Sequence, residues 1–141
     1  MKLKVLVLLL ASLAATAAWA EPGAPGDDPI GKYLFPPELV MQHSQDLGLD
    51  ERQRTAVKEN VQKAQSKFLD LQWQLQEESQ KMVRLLQARP VDEAAVLAEA
   101  DKLLALERDI KHTQLSLLVR LKNLLSESQQ AKLMALRSRQ D

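Results

Sequence analysis

Apolar residues return at alternating steps of four and three through the middle of the chain: Val57, Val61, Ala64, Phe68, Leu71 and Leu75, then Met82 and Leu85. An α-helix turns once every 3.6 residues, so this spacing lays them along one stripe. Glu78 is the single break in the series. A stripe of about 5 heptads marks a helix packed along its length against another helix. No proline or glycine interrupts the chain from Leu49 to Arg89. Asp50 is placed to cap the helix start, and Gln53, three residues on, can reach back in a capping box. Pro90 sets the end, because a proline disfavours helix in the residue before it.

A second long helix follows at once. Asp92 can cap it. Val96, Leu103, Ile110, Leu117 and Leu124 recur every seventh residue, and Leu97, Leu104, Leu118 and Leu125 fill the neighbouring row, with Lys111 the exception. Acidic residues crowd its start (Asp92, Glu93, Glu99, Asp101) and Arg120 and Lys122 lie near its end. That order complements the helix dipole. The two helices, of roughly 38 and 32 residues, are about 57 and 48 Å long at 1.5 Å per residue. The short link Pro90-Val91-Asp92 makes them antiparallel. A short helix over residues 37–47 is expected before the hairpin, started by Pro36 and Pro37 and stopped by Gly48. Another starts at Ser126, which with Gln129 forms a second capping box, and uses Leu133, Met134 and Leu136 as its apolar side. The expected fold is all-α: a long antiparallel hairpin with short flanking helices folding back at its open end. No strand pattern appears.

The N-terminus predicts export. Lys2 and Lys4 precede the apolar run of residues 5–10, small residues follow, and Ala18-Trp19-Ala20 closes the segment before Glu21. This is the order of a cleaved secretory signal peptide. No cysteine follows the cleavage site, which argues against a lipid anchor, and no later segment is apolar enough to span a membrane. The expected organisation is a signal peptide over 1–20, a flexible Pro/Gly-rich leader over 21–35, a four-helix domain over 36–137 and a frayed tail over 138–141. The mature chain carries 17 basic and 19 acidic residues, a net charge of −2. No large single-sign field points to nucleic acid.

The two capping boxes carry a resemblance. Leu49-Asp50-Glu51-Arg52-Gln53 and Leu125-Ser126-Glu127-Ser128-Gln129 resemble the paired L-T-x-x-Q motifs of the Spy/CpxP superfamily of periplasmic helical proteins, which includes a heavy-metal-resistance and metal-sensor branch. The order of elements is similar too, over about residues 35–137. Asp50 and Ser126 replace the motif threonine, and either can still cap. The resemblance implies Leu49, Asp50, Gln53, Leu125, Ser126 and Gln129 as family-motif residues. It also implies a curved, dimeric cradle and a role as an ATP-independent chaperone, a partner of a membrane stress sensor, or a binder of zinc, nickel, cobalt or copper. The stretch over residues 92–133 looks most like the metal-resistance branch.

The residues themselves give little support to catalysis. There is no cysteine, no Gly-rich phosphate loop and no nucleophile elbow, and a site needs converging acid, base and stabilising groups. No cofactor is required. For a divalent metal the candidates are His43, with Asp46 three residues on and Glu38 and Met41 nearby, and more weakly His112 beside Asp109. His112 lies 13 residues before Leu125, about 20 Å from the open end by helical rise, so the two histidines are not expected to meet. The sparse ligand set favours locally paired or solvated histidines over a metal site.

Two surface features remain. The open-end segments 49–69 and 120–141 together hold ten basic and five acidic residues, and the closed end has the opposite balance. Arg52, Arg54, Lys58, Arg120 and Lys122 form a candidate basic rim, attracting acidic or unfolded segments or serving only solubility and helix pairing such as Glu59–Lys63. On the first long helix Leu69, Trp73 and Val83 fall within about 80° of one another and about 120° from the seam, a second apolar face. One partner helix cannot cover both. The face is either a homodimer interface or a surface for clients, and both can hold. The leading expectation is a non-enzymatic periplasmic chaperone or envelope-stress protein acting on unfolded periplasmic proteins. The alternatives are a heavy-metal sensor or resistance protein and a structural partner of a membrane or anti-sigma-type sensor.

Overall fold

The computed structural model describes residues 30–139. The expected signal peptide and most of the expected leader, residues 1–29, lie outside the described residues, as do the last two of the expected tail. Four helices follow a 3-10 turn at Gly31–Tyr33: α1 Pro37–Gln42, α2 Glu51–Gln87, α3 Glu93–Leu124 and α4 Glu127–Arg137. Among the described residues there is no strand. The long helices α2 and α3 pack on each other as the hairpin, and α1 meets α4 at its open end. The all-helical hairpin expected from the sequence is the observed fold.

Local chemistry sets most boundaries. Asp50 accepts from the Gln53 amide at 2.7 Å while the Gln53 side chain accepts from the Asp50 amide at 3.1 Å. Ser126 and Gln129 repeat the exchange at 3.2 and 2.9 Å. Asp92 accepts from the Ala95 amide at 3.1 Å. These bonds satisfy amides that a helix start otherwise leaves orphaned. Gly48 has φ +62, and Leu49 donates to the Ser44 carbonyl while Gly48 donates to Gln45. This is a Schellman ending, for which the left-handed residue needs no Cβ. The segment before it differs from the expected helix over 37–47. Regular α-helix stops at Gln42, and His43, with φ −100 and ψ 15, tips the chain into successive turns that reach Gly48.

The core lies at the open end. Phe35, Val40, Leu47, Leu49, Val57, Leu121, Leu125 and Leu133 bury one another there, with Leu39, Val61, Leu117 and Leu124 packed around them. Burying a Leu or Phe side chain stabilises by about 1.5–3 kcal/mol, so this cluster anchors the four short and long helices together. The N-terminal stretch joins it: Leu34 and Phe35 are buried and Lys122 donates to the Tyr33 carbonyl at 2.7 Å. Leu34 and Phe35, at the end of the expected leader, are therefore packed into the core, while Ile30 and Tyr33 stay exposed.

Toward the closed end the hairpin is a two-helix seam. On α2 the expected stripe faces inward, with Val57, Ala64 and Leu71 buried and the others half-buried. On α3 the row through Val96, Leu103, Ile110, Leu117 and Leu124 is half-buried. Its neighbour in the seam is not the leucine row: Leu97 and Leu104 are 57% and 61% exposed, whereas Glu99 is 2% exposed. At this level α3 turns a charged side chain inward. Glu99 Oε2 sits 3.1 Å from Lys81 Nζ and 3.2 Å from Lys102 Nζ, and Glu78 Oε2 lies 3.5 and 3.8 Å from the same two groups. Glu78, which breaks the apolar series of α2, thus meets a partner set from α3.

Candidate functional site

The two motifs come together. Gln53 Nε2 donates to Gln129 Oε1 at 2.8 Å and to the Leu124 carbonyl at 2.8 Å. Gln129 Nε2 donates to Gln53 Oε1 at 3.2 Å and to the Leu47 carbonyl at 3.3 Å. Leu49 and Leu125 are both buried beneath this pair. Each glutamine closes its own capping box and also ties it to the other, so the motif residues build one polar clasp over the core. The bonds tie α4 and the segment after α1 to the open end of the hairpin.

His43 borders the same core. It is 8% exposed and its Nδ1 lies 3.0 Å from Asp46 Oδ2. Glu38 and Met41 are exposed, and Met41 instead walls a separate apolar depression between α1 and α2. His112 is exposed on α3, in a groove that also holds Lys63, Lys67 and Arg120. Two lysines and an arginine around it disfavour a metal ion there. Among the described residues no group of three or more His, Cys, Asp or Glu side chains is placed to hold a metal. Zinc sites use three or four protein ligands. His43 and Asp46 offer two, so the donors of one chain do not fit a resident metal ion.

The expected basic residues take different positions. Arg54 donates to the Leu49 carbonyl at 3.0 Å and pairs with Glu51 at 2.8 Å, which bolts down the start of α2. Lys122 is engaged by Tyr33. Lys58 borders, with Arg54, the depression of about 460 Å³ between α1 and α2, floored by Val40, Leu49, Val57 and Val61. Arg52 is on an outer face of α2 near Thr55 and Glu59, and Arg120 is in the α2–α3 groove. They do not share one patch.

The second apolar face of α2 is open. Leu69, Trp73 and Val83 are all more than half exposed, and Trp73 is 60% exposed. Leu97, Leu104, Leu115 and Val119 add exposed apolar positions on α3. Large exposed apolar patches mark interaction surfaces. Among the described residues no helix is long and apolar enough to cross a membrane.

Two features escaped the sequence reading. The Glu78–Lys81–Glu99–Lys102 cluster was signalled by Glu78 in the seam, but its partner Glu99 looked like part of an acidic helix start. The α2–α3 groove was signalled by Lys63 and Lys67 one turn apart, yet needed the hairpin register to bring Arg120 opposite.

No curated protein and no solved structure matches the chain significantly. Residues 4–132 match the heavy-metal resistance family. With that match spanning most of its length and the paired motifs clasped over a helical hairpin, the chain belongs to the heavy-metal resistance family, within the Spy/CpxP-like helical superfamily.

Proposed function

We propose that this chain serves heavy-metal resistance in the periplasm as an exported, non-enzymatic binding protein, with metal as a transient cargo or signal. The observation that carries this reading is the family relationship over residues 4–132. The signal-peptide pattern of residues 1–20 supports export. Metal capture centres on His43 and Asp46. Both lie in the short turn-rich segment after α1, and a buried histidine must open locally to reach an ion. Two donors and an opening step make the binding weak. Calorimetric titration of the mature protein with zinc, nickel, cobalt and copper tests this. Micromolar or weaker binding is expected, lost in His43→Ala and kept in His112→Ala, with thermal melts showing both variants folded. Nanomolar binding by the wild type, or dependence on His112 instead, overturns the assignment.

The open α2 face favours a second reading. Leu69, Trp73 and Val83 offer non-directional apolar contact suited to unfolded periplasmic clients, to a membrane-bound stress sensor, or to a second copy of the chain. An ATP-free aggregation assay separates the client role from the others: protection that falls in Trp73→Ala supports it, and no protection at several-fold molar excess removes it.

A further inference from the structure

Where α2 carries Ala64 and α3 carries Thr113 and Ser116, the seam lacks large side chains and a groove of about 290 Å³ opens between the helices. Lys63, Lys67, Arg120 and His112 rim it, and no acidic side chain lines it. All four are exposed. Among the described residues, Lys63, Lys67 and Arg120 form no ion pair, not even Lys63 with Glu59 one turn before it. The contrast lies on the same helix pair. Lys81 and Lys102 also face each other across the seam, but they share the carboxylates of Glu78 and Glu99. Like charges drawn together without counter-charge repel, so the groove is electrostatically incomplete by itself. That holds although the mature chain is net acidic.

The spacing says what completes it. Lys63 and Lys67 are about 6 Å apart along α2, and His112 and Arg120 about 12 Å apart along α3. Cationic donors from two sides thus surround a slot longer than a monovalent ion needs. Lysine ammonium and the arginine fork are the donors that phosphate oxygens take best. Beside the slot, Leu115 and Val119 stand exposed on α3 and form an apolar ledge that shares His112, Ser116 and Arg120 with the groove. A cationic slot opening onto an apolar ledge matches an amphiphilic anion.

We propose that this groove binds a phosphate group, with a lipid headgroup as its source: the phosphate on Lys63, Lys67 and Arg120, and the apolar portion along Leu115 and Val119. The site is separate from the clasp and from His43, and the proposal does not depend on the metal reading.

The test uses the mature protein and two probes. Pyrophosphate is titrated calorimetrically, and flotation is measured with phosphatidylcholine vesicles with and without phosphatidic acid. Saturable binding to both is expected, weakening with salt. Lys63→Gln/Lys67→Gln should weaken both at least tenfold, while Arg84→Gln/Arg89→Gln, with the same change of charge elsewhere on the hairpin, should change them less than twofold. Leu115→Ser/Val119→Ser should weaken vesicle binding alone. Equal losses in the two charge variants would reduce the effect to overall charge and overturn the site. Pyrophosphate binding without vesicle binding would overturn the lipid source and leave a site for soluble phosphates, and vesicle binding indifferent to Leu115 and Val119 would overturn the apolar ledge. No binding of either probe at millimolar concentration overturns the proposal entirely.

Discussion

Arg137, in the last turn of α4, lies over the ring of Phe35, with the guanidinium carbon 5.2 Å from the ring centroid. The same guanidinium donates to the Gly31 carbonyl at 3.1 Å, to the Lys32 carbonyl at 3.4 Å and to the Leu34 carbonyl. One side chain near the C-terminus thereby holds the stretch that enters the core at Phe35. Phe35 supplies the buried anchor, at 1% exposure, and Arg137 donates to the carbonyls of the turn that leads into it.

That latch predicts a local effect. Arg137→Ala should remove the bonds to the 3-10 turn, with the part-buried Leu34 carbonyl losing its donor, at a cost of about 1 kcal/mol. The loss should fall on residues 30–36 first, because the hairpin seam does not involve Arg137. Limited proteolysis should cut there faster in the variant, and hydrogen exchange should rise there more than in α2. Arg137→Lys should rescue little, since an ammonium cannot span the carbonyls as the fork does. Uniform loss of protection across the whole chain would contradict the latch.

The exposed α2 face predicts self-association. A tryptophan 60% exposed in one chain contributes little to that chain's own folding. Trp73→Ala should therefore change unfolding stability by no more than about 0.5 kcal/mol when measured in dilute solution. Sedimentation of the wild type at tens of micromolar should show a dimer, with Trp73→Ala shifted toward monomer. The other tryptophan, Trp19, falls in the expected signal peptide, so in a protein that starts at Glu21 the emission of Trp73 should move to the blue as concentration rises. A wild type that stays monomeric with concentration-independent emission would leave this face to other partners.

The parts of this fold legible in the sequence are those set by neighbours in the chain. Asp50, Asp92 and Ser126 start their helices because a cap needs only the next three residues, and Gly48 ends its turn because a glycine reaches φ +62 without strain. Heptad spacing makes α2 and its buried stripe evident for the same reason. What depends on the register across the hairpin was not legible. Leu97 and Leu104 look as suited to the seam as Leu103, and Glu99 looks suited to water, until Lys81 and Lys102 are brought to it. The motif glutamines were legible as caps, but their mutual bonds join residues 76 apart. His43 was legible as the better ligand candidate, whereas its burial follows from the turn path after Gln42.

The buried carboxylate predicts how stability responds to acid. The hydrogen bond with the Glu78 carboxyl, then those with Lys81 and Lys102, hold Glu99 down to about 2, against the upward push of burial. A carboxyl depressed on folding binds fewer protons in the native than in the unfolded chain. Its stabilising contribution is therefore full above its ordinary value of 4.5 and lost as pH falls from there toward 2. Melting temperature should drop across that window, and Glu99→Gln should show a shallower drop while being less stable than wild type at pH 7. Because Glu78 lies against the same two lysines, Glu78→Gln should alter the same window. Acid profiles of equal steepness in wild type and Glu99→Gln would place the sensitivity elsewhere.

The clasp of Gln53 and Gln129 predicts coupling between two helix starts that are far apart in sequence. Each glutamine serves its own capping box and donates to the opposite side of the open end. If the boxes acted independently, Gln53→Ala and Gln129→Ala would add within about 0.5 kcal/mol. The reciprocal amide bonds are lost in either single variant, so the double variant should cost less than the sum, by about 0.5–3 kcal/mol. Urea unfolding of the four proteins measures this directly. Glutamate supplies the decisive comparison. Gln53→Glu can still accept the Asp50 amide and close its own box, but it has no N–H for Gln129 Oε1 or the Leu124 carbonyl. A tolerated glutamate would reduce the motif to two ordinary helix caps. Loss in Gln53→Glu close to that in Gln53→Ala identifies donation across the clasp as the reason both positions carry glutamine.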